Sequence, residues 1–428
     1  MPNNQKKTLS PLILPWAVWG LAAFFFFSHY VVRVTPGQII DELQSYFVGA
    51  SKYDIGILGA SFYLPYVLMQ LPVGYLVDKF GTRLLLTISV LVCSLSCFLF
   101  AHSTHFSMAI FSRVLLGLCC AAGFISALKL ITVWFEPKML ALLVGITQAL
   151  GMVGASAGNG LVPYITDALG WKNTFNLYAV GFFILSMLIC LIVRNSPQKK
   201  SISSAAAHKS NTGFQLKAVL CNRYTWINAL YAGLIFAPTD AMGELWGRDF
   251  LRNIHHLAPK DASFCVSLLF IGWAIGGPIA GWLADRIGRK PVMMISAFCS
   301  LAILPLLFYV PNISLGIIKA LMLLYGLTNT GMIASYAAAG ELHSSENAGF
   351  SMAIANMFSV LVGAFLMPVL GMLLEWSAHQ HLVGGLDHLV YTATDYQRAT
   401  YVLPVCLLGA IVCSFFVKET LPATEKLN

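Results

Sequence analysis

Long apolar runs leave this chain few folds to choose from. Roughly, they cover residues 13–38, 55–77, 83–101, 106–134, 139–165, 173–193, 224–250, 262–284, 291–309, 315–338, 347–373 and 400–417. A helix needs about 20 mainly apolar residues to cross a bilayer core, so each run reads as one span, twelve in all. Several runs are rich in glycine, which lipid-embedded helices tolerate. Charged residues make up only 10% of the chain, against about 25% in a soluble domain. That is too little polar surface to cover a soluble protein of this size. Lipid is the expected solvent, and the fold class is an all-α integral membrane protein.

Charge then sets topology. An even number of spans puts both termini on one side. Sixteen Lys and Arg fall on that side and six on the other (Lys52, Lys172, Arg248, Arg252, Lys260 and Arg398). Positive loops stay inside, so both termini are expected in the cytoplasm, in a bacterial inner membrane. The formal charge of +8 is read this way and not as a nucleic-acid surface. Lys6 and Lys7 precede a long first run with no small-residue cleavage site, which reads as a retained span. The ten cysteines lie nearly all in apolar runs, as Cys93, Cys97, Cys119 and Cys120 do. They read as small buried side chains. No metal spacing, nucleotide-binding loop or hydrolytic constellation is present, so neither a cofactor nor an enzyme is expected. His105 and His379 to His381 fall in exterior loops.

One short polar motif occurs twice. Gly74 to Arg83 reads GYLVDKFGTR, and Gly281 to Lys290 reads GWLADRIGRK. Their first glycines stand 207 positions apart, which divides the chain into two related halves. Residues 194–221 are the long polar linker between them. The expected domains are 1–193 and 222–428, each a six-helix bundle, joined by a cytoplasmic segment. A second polar stretch, 374–399, is either a solvated loop or a cap over the outer entrance.

The repeated motif, G-x-x-x-D-K-x-G-x-R in its first copy, resembles the signature loop of the major facilitator superfamily. Arg113 opens R-x-x-x-G in the fourth run, similar to the arginine of that family. Gly145, Gly151, Gly154, Gly158 and Gly160 resemble its glycine-rich fifth span, without the usual Gly-Pro pair. Gly170-Trp171 followed by Phe175 is similar to the entrance of its sixth. The resemblance extends over about residues 13–417. It implies a monomeric secondary transporter that rocks two six-helix halves around a small-molecule substrate. Within the superfamily the chain resembles bacterial uptake carriers for organic anions and amino acids, through RVTPG at 33–37 and ELWG at 244–247. More weakly it resembles lysosomal dipeptide carriers. The signature loops then imply gating residues, Asp78 with Arg83 and Asp285 with Arg289. A carboxylate there can accept N–H groups of a helix start or pair with an arginine of its own loop, holding one conformational state.

Charges inside spans are costly and therefore informative. Arg33 lies near the outer end of the first span and either snorkels or faces a cavity; Pro36 and Gly37 favour irregular backbone beside it. Arg113 lies deeper, where snorkelling explains less. Lys129 either binds substrate from the cytoplasmic half or snorkels. Asp240 and Glu244 stand i, i+4 on one helix face, which disfavours joint ionisation and suits proton coupling. The alternative for them is an ordinary salt bridge to Arg248, itself i+4 from Glu244. Tyr63, Tyr66, Tyr231, Trp246 and Asn329 complete the candidate substrate-binding set. These groups point to proton-coupled uptake of a small carboxylate-bearing metabolite: an amino acid, short peptide or organic acid. An exporter of drugs, siderophores or other amphipathic compounds is the alternative, as is a uniporter. Export is disfavoured by the missing acid in the first span and the missing proline bend in the fifth.

Overall fold

Each half turns a corner on a glycine that only glycine fits well. In the computed structural model, which describes residues 13–196, 219–343, 345–380 and 391–420, α3 (Lys52–Phe80) ends at Gly81 and α4 (Thr82–Ala101) begins directly after it. Gly81 has φ +81°, a region L side chains rarely adopt. In the second half Gly288, at φ +107°, separates α11 (Pro259–Ile287) from α12 (Arg289–Tyr309). These are the second glycines of the two motif copies.

Both corners are capped from the end of their own half. The Asn195 side chain accepts from the Arg83 N–H at 2.9 Å. The Glu419 carboxylate accepts from the N–H groups of Arg289 and Lys290, at 3.0 and 3.3 Å. Free N–H groups at a helix start call for an acceptor. Of the two roles open to the motif aspartates, capping the helix start falls instead to a residue just beyond each half's last helix, while Asp285 pairs with Arg289 of its own loop.

The described residues form helices and no strands. In the first half, α1 (Leu14–Val34) passes into a 3-10 turn, Thr35–Gln38, at Pro36–Gly37, followed by a short α2 (Ile40–Tyr46). After α4 come α5 (Phe106–Cys120) and α6 (Ala122–Trp134), end to end, then α7 (Pro137–Leu169) and α8 (Trp171–Ile192). The second half opens with α9 (Arg223–Ala241), a π-helical turn Met242–Trp246 and α10 (Gly247–His255). Following α11 and α12 are α13 (Leu315–Thr328), α14 (Gly331–Glu341), α15 (Ser345–His379), α16 (Ala393–Thr400) and α17 (Val402–Phe416).

All twelve apolar runs fall on these helices. Nine helical stretches among the described residues are long and apolar enough to cross a membrane, ten when Lys52–Gln70 and Pro72–Phe80 are taken as one bent span. Their outer faces carry bare apolar side chains such as Leu68, Leu191 and Phe416, each more than three-fifths exposed. Surfaces of that kind suit lipid and not water. The polar linker expected at 194–221 lies mostly outside the described residues, as do residues 381–390 of the suggested cap.

The halves meet along two helix pairs, α3 with α15 and α7 with α11. Backbone approaches backbone where the 3-10 turn faces the π turn. A methyl group at Gly37 would come within 2.7 Å of the Leu245 carbonyl and 2.8 Å of the Glu244 carbonyl. The end of the molecule bearing the two glycine corners is called the turn end below, and the opposite one the far end.

Candidate functional site

Glycine at position 37 lets the end of α1 approach the π turn, and that approach brings buried charges together. Arg33 lies in the last turn of α1, two residues before the 3-10 segment. Its Nε donates to Glu244 Oε2 at 2.6 Å and its Nη2 to Asp240 Oδ1 at 3.3 Å. Nη2 also pairs with Glu244 Oε1. All three side chains are at most 2% exposed. Two halves of the chain are thus joined by one guanidinium and two carboxylates, out of water.

Aromatic rings enclose the guanidinium. Its carbon stands 4.6 Å from the Tyr63 ring centre and 4.9 Å from that of Tyr30, with Phe62 and Tyr66 at 5.8 and 5.9 Å. Ring faces attract a cation, and the Tyr63 hydroxyl also accepts from Nε at 3.1 Å. Asp240 Oδ2 makes no hydrogen bond among the described residues. It faces Gly363 of α15, where a methyl group would come within 2.5 Å of that oxygen.

Arg113 lies one ring away. Its guanidinium sits 4.9 Å over Phe62, and Nη2 donates to the Arg33 carbonyl at 3.3 Å. Nε and Nη1 have no partner among the described residues, although the side chain is buried. A buried cation short of acceptors is expensive unless an anion completes it.

The structure brings together Arg33, Tyr63, Tyr66, Asp240 and Glu244, with Arg113 beside them. It sets four other candidates apart. Lys129 is 46% exposed at the turn end and pairs with Asp78 at 2.8 Å. Tyr231 donates to the Met293 carbonyl at 2.7 Å, inside the second half. Asn329 is occupied by Thr239, Ser300 and the Ile235 carbonyl. Trp246 donates to the Met367 carbonyl at 3.0 Å and stacks on Phe250. Arg248 does not pair with Glu244 but donates to the Gln38 carbonyl.

His29 escaped the sequence reading, which weighed only histidines in loops. It stands one turn before Arg33, fully buried against Phe26 and Tyr30. Neither ring nitrogen makes a well-formed hydrogen bond among the described residues. A histidine four positions before a span arginine was the available signal.

The far end is fastened across the halves. Lys52 pairs with Asp249 at 2.9 Å with both side chains almost fully buried, and Tyr396 donates to the same carboxylate at 3.1 Å. Arg252 pairs with Asp41, and Lys260 with Asp167. Gln38 donates to Asn159, which donates to the Gly243 carbonyl, while Ser263 donates back to Gln38. Toward the turn end the Asn356 amide donates to Gln70 at 2.6 Å. A cleft of about 320 Å³ opens there between α7 and α11, lined by Gln148, Met152 and Trp273 among others.

At the corners themselves, Arg83 donates to the Cys190 carbonyl. Arg289 pairs with Asp285 of its own turn and with Glu341 of α14, the latter at 2.7 Å. The Asp78–Lys129 pair likewise ties its corner to the half's fourth run. In each half the corner is thus tied to the end of the fourth span's helix, through a lysine in the first half and a glutamate in the second.

Comparison with known proteins agrees with this architecture. The sequence profile of the Major Facilitator Superfamily matches residues 18–368 and 245–427. A curated relative from Chlamydia pneumoniae, named a probable hexose phosphate transport protein, is 23% identical over 296 residues. That match covers 62% of this chain and 62% of the relative. The probable anion transporter 5 of Arabidopsis thaliana is 24% identical over 405 residues, covering 86% of this chain and 89% of that one. Among solved structures, a bacterial homologue of the human lysosomal transporter Spinster, inward-facing and occupied, superposes with a TM-score of 0.78. It covers 97% of this chain and 99% of its own at 15% identity, a likeness of fold.

Proposed function

The chain belongs to the major facilitator superfamily, and from that premise we propose that it is a proton-coupled importer of a small carboxylate-bearing metabolite. An organic acid, an amino acid or a short peptide fits this description. The observation that carries the reading is the grip of Asp240 and Glu244 on Arg33. Arg33 is the cation placed to receive an anion, and two acids occupy it.

Charge balance links anion to proton. With all four groups ionised, Arg33 and Arg113 offset Asp240 and Glu244. A monovalent anion entering this dry site leaves an uncompensated negative charge, which is costly. One proton on Asp240 or Glu244 restores neutrality and loosens the hold on Arg33 at the same time. Because linkage is reciprocal, bound proton favours bound anion and the reverse. The names of the relatives, an anion transporter and a hexose phosphate transport protein, are consistent with an anionic substrate.

Alternating access supplies the movement. The far end is closed by the Lys52–Asp249 and Arg252–Asp41 pairs, while a cleft opens between α7 and α11 toward the turn end. With the turn end in the cytoplasm, as the charge bias favours, this arrangement is the inward-facing one. Asp78, Arg83, Asp285 and Arg289 act as gating residues there, on each half separately. The carrier works as a monomer, with halves 1–193 and 222–428, in a bacterial inner membrane.

Proteoliposomes with an internal pH indicator test the reading. Pools of organic acids, amino acids and dipeptides are added outside, and at least one pool should draw protons inward. If folded protein moves no protons with any pool, while an amphipathic cation is exchanged, export replaces import.

A further inference from the structure

A second cationic site lies at the turn end, on the lipid-facing flank where α9, α12 and α17 meet. A cleft of about 460 Å³ is lined there by Arg223, Tyr224, Lys290, Phe415, Phe416 and Lys418. None of its three cations pairs with a carboxylate among the described residues. Arg223 opens α9, lies 4.9 Å over the Tyr224 ring and donates to its hydroxyl at 2.9 Å. Lys290 donates one of its three protons to the Phe415 carbonyl at 2.7 Å. Lys418 follows α17 and is exposed. The one acid lining the cleft, Glu419, already accepts the N–H groups of Arg289, Lys290 and Thr420.

The opposite wall is apolar. Phe415 and Phe416 are 52% and 63% exposed, and Phe298, 48% exposed, packs edge-on against Phe415. Tyrosine and tryptophan mark the depth of lipid headgroups; here Tyr224 sits at the rim and Trp226, 41% exposed, stands half a turn further along α9. The geometry points to a phosphate-binding site at the membrane interface, occupied by the headgroup of an anionic phospholipid whose acyl chains lie along Phe415 and Phe416. Three unpaired cations supply the attraction. A free phosphate would satisfy them too but would leave the aromatic wall without a partner. Simple retention of positive loops accounts for basic residues here, but not for their meeting in one cleft above bare aromatic rings.

Native mass spectrometry of the full chain in detergent reads the binding directly. Phosphatidylglycerol, phosphatidylcholine and inorganic phosphate are titrated separately. One phosphatidylglycerol should be held in preference to phosphatidylcholine. The triple variant Arg223→Gln, Lys290→Gln, Lys418→Gln should weaken it roughly 100-fold, from about fivefold per cation near an anionic headgroup. Lys418→Gln alone, at an exposed position that does not threaten folding, should show the single fivefold step. Unchanged phosphatidylglycerol binding in the triple variant overturns the site, and so does equal retention of phosphatidylcholine. Displacement of the lipid by equimolar inorganic phosphate overturns the lipid as occupant and leaves a site for free phosphate.

Discussion

Arg33 and Glu244, 211 positions apart, meet across the two halves with Nε to Oε2 at 2.6 Å and a second contact through Nη2. The pair has two roles that compete. It ties the halves together, and it keeps the guanidinium from any other anion.

Removing Arg33 should therefore harm stability as well as transport. Breaking a buried pair by deleting one partner costs about 3–5 kcal/mol, and Arg33→Ala leaves two acids behind. Thermal unfolding in detergent should show a marked drop. Adding Asp240→Asn and Glu244→Gln to that variant should recover most of it without restoring uptake. A triple variant that transports would remove Arg33 from the substrate site.

Arg33→Lys tests geometry apart from charge. Lysine offers a point charge where arginine offers a planar fork, and the site uses both Nε and Nη2. Uptake should fall by about tenfold or more, one lost charge-assisted hydrogen bond being worth roughly 1.5–3 kcal/mol. Uptake by Arg33→Lys at the rate of the unaltered protein would show that fork geometry is irrelevant.

Asp240→Asn and Glu244→Gln separate coupling from movement. Each variant should keep counterflow exchange of labelled substrate, which needs no net proton transfer. At least one should lose accumulation against a gradient when a pH difference is applied. Full accumulation in both would take the two acids out of the coupling scheme.

Charge balance makes an electrical prediction. If one proton accompanies each monovalent anion, the cycle carries no net charge. A valinomycin-imposed potential, inside negative, should leave the initial uptake rate unchanged while an inward proton gradient raises it. Potential-driven uptake at constant pH would mean that more than one proton moves with each anion, or that the substrate is a net-neutral zwitterion.

The Lys52–Asp249 pair should bias the carrier toward closure at the far end. Lys52→Met leaves Asp249 buried with the neutral donors Tyr396 and Asn253, which disfavours the closed state by about 3 kcal/mol if the pair behaves as other buried pairs do. In a cysteine-free background, Ser263→Cys reports access at that end. Labelling by an impermeant maleimide should rise at least tenfold with Lys52→Met. The reversal Lys52→Asp with Asp249→Lys should bring it back down. No change in labelling would show that the pair is structural ballast and not a latch.

Much of the fold was legible because its determinants are local. Apolar runs name the helices, and the glycine after Asp78 or Asp285 names the corner, since both act within a few residues. The charge cluster was legible only in part. Asp240 and Glu244 showed themselves through i, i+4 spacing, but their cation comes from another half and no local pattern links it to them. Spacing also offered an alternative that does not hold: Arg248, at i+4 from Glu244, was available as its partner. The π turn Met242–Trp246 inserts extra backbone at that point, which shifts the helical register and sends Arg248 to the Gln38 carbonyl. Lys129 was legible only as a choice between a cavity group and a snorkelling one. The end of α6 carries it instead to the turn end, where Asp78 waits.

The capping of the two corners bears on how the chain can be cut and joined. Asn195 and Glu419 each stand just beyond the last helix of a half, yet each holds the start of that half's third span, α4 or α12. The functional boundary of a half is therefore not its final turn of helix. A half expressed alone and stopped at Val193 would lack its amide cap. A fluorescent fusion joined directly after Val417 would lose the carboxylate cap in the other. Splices placed after Ser196 or after Thr420 keep both corners closed.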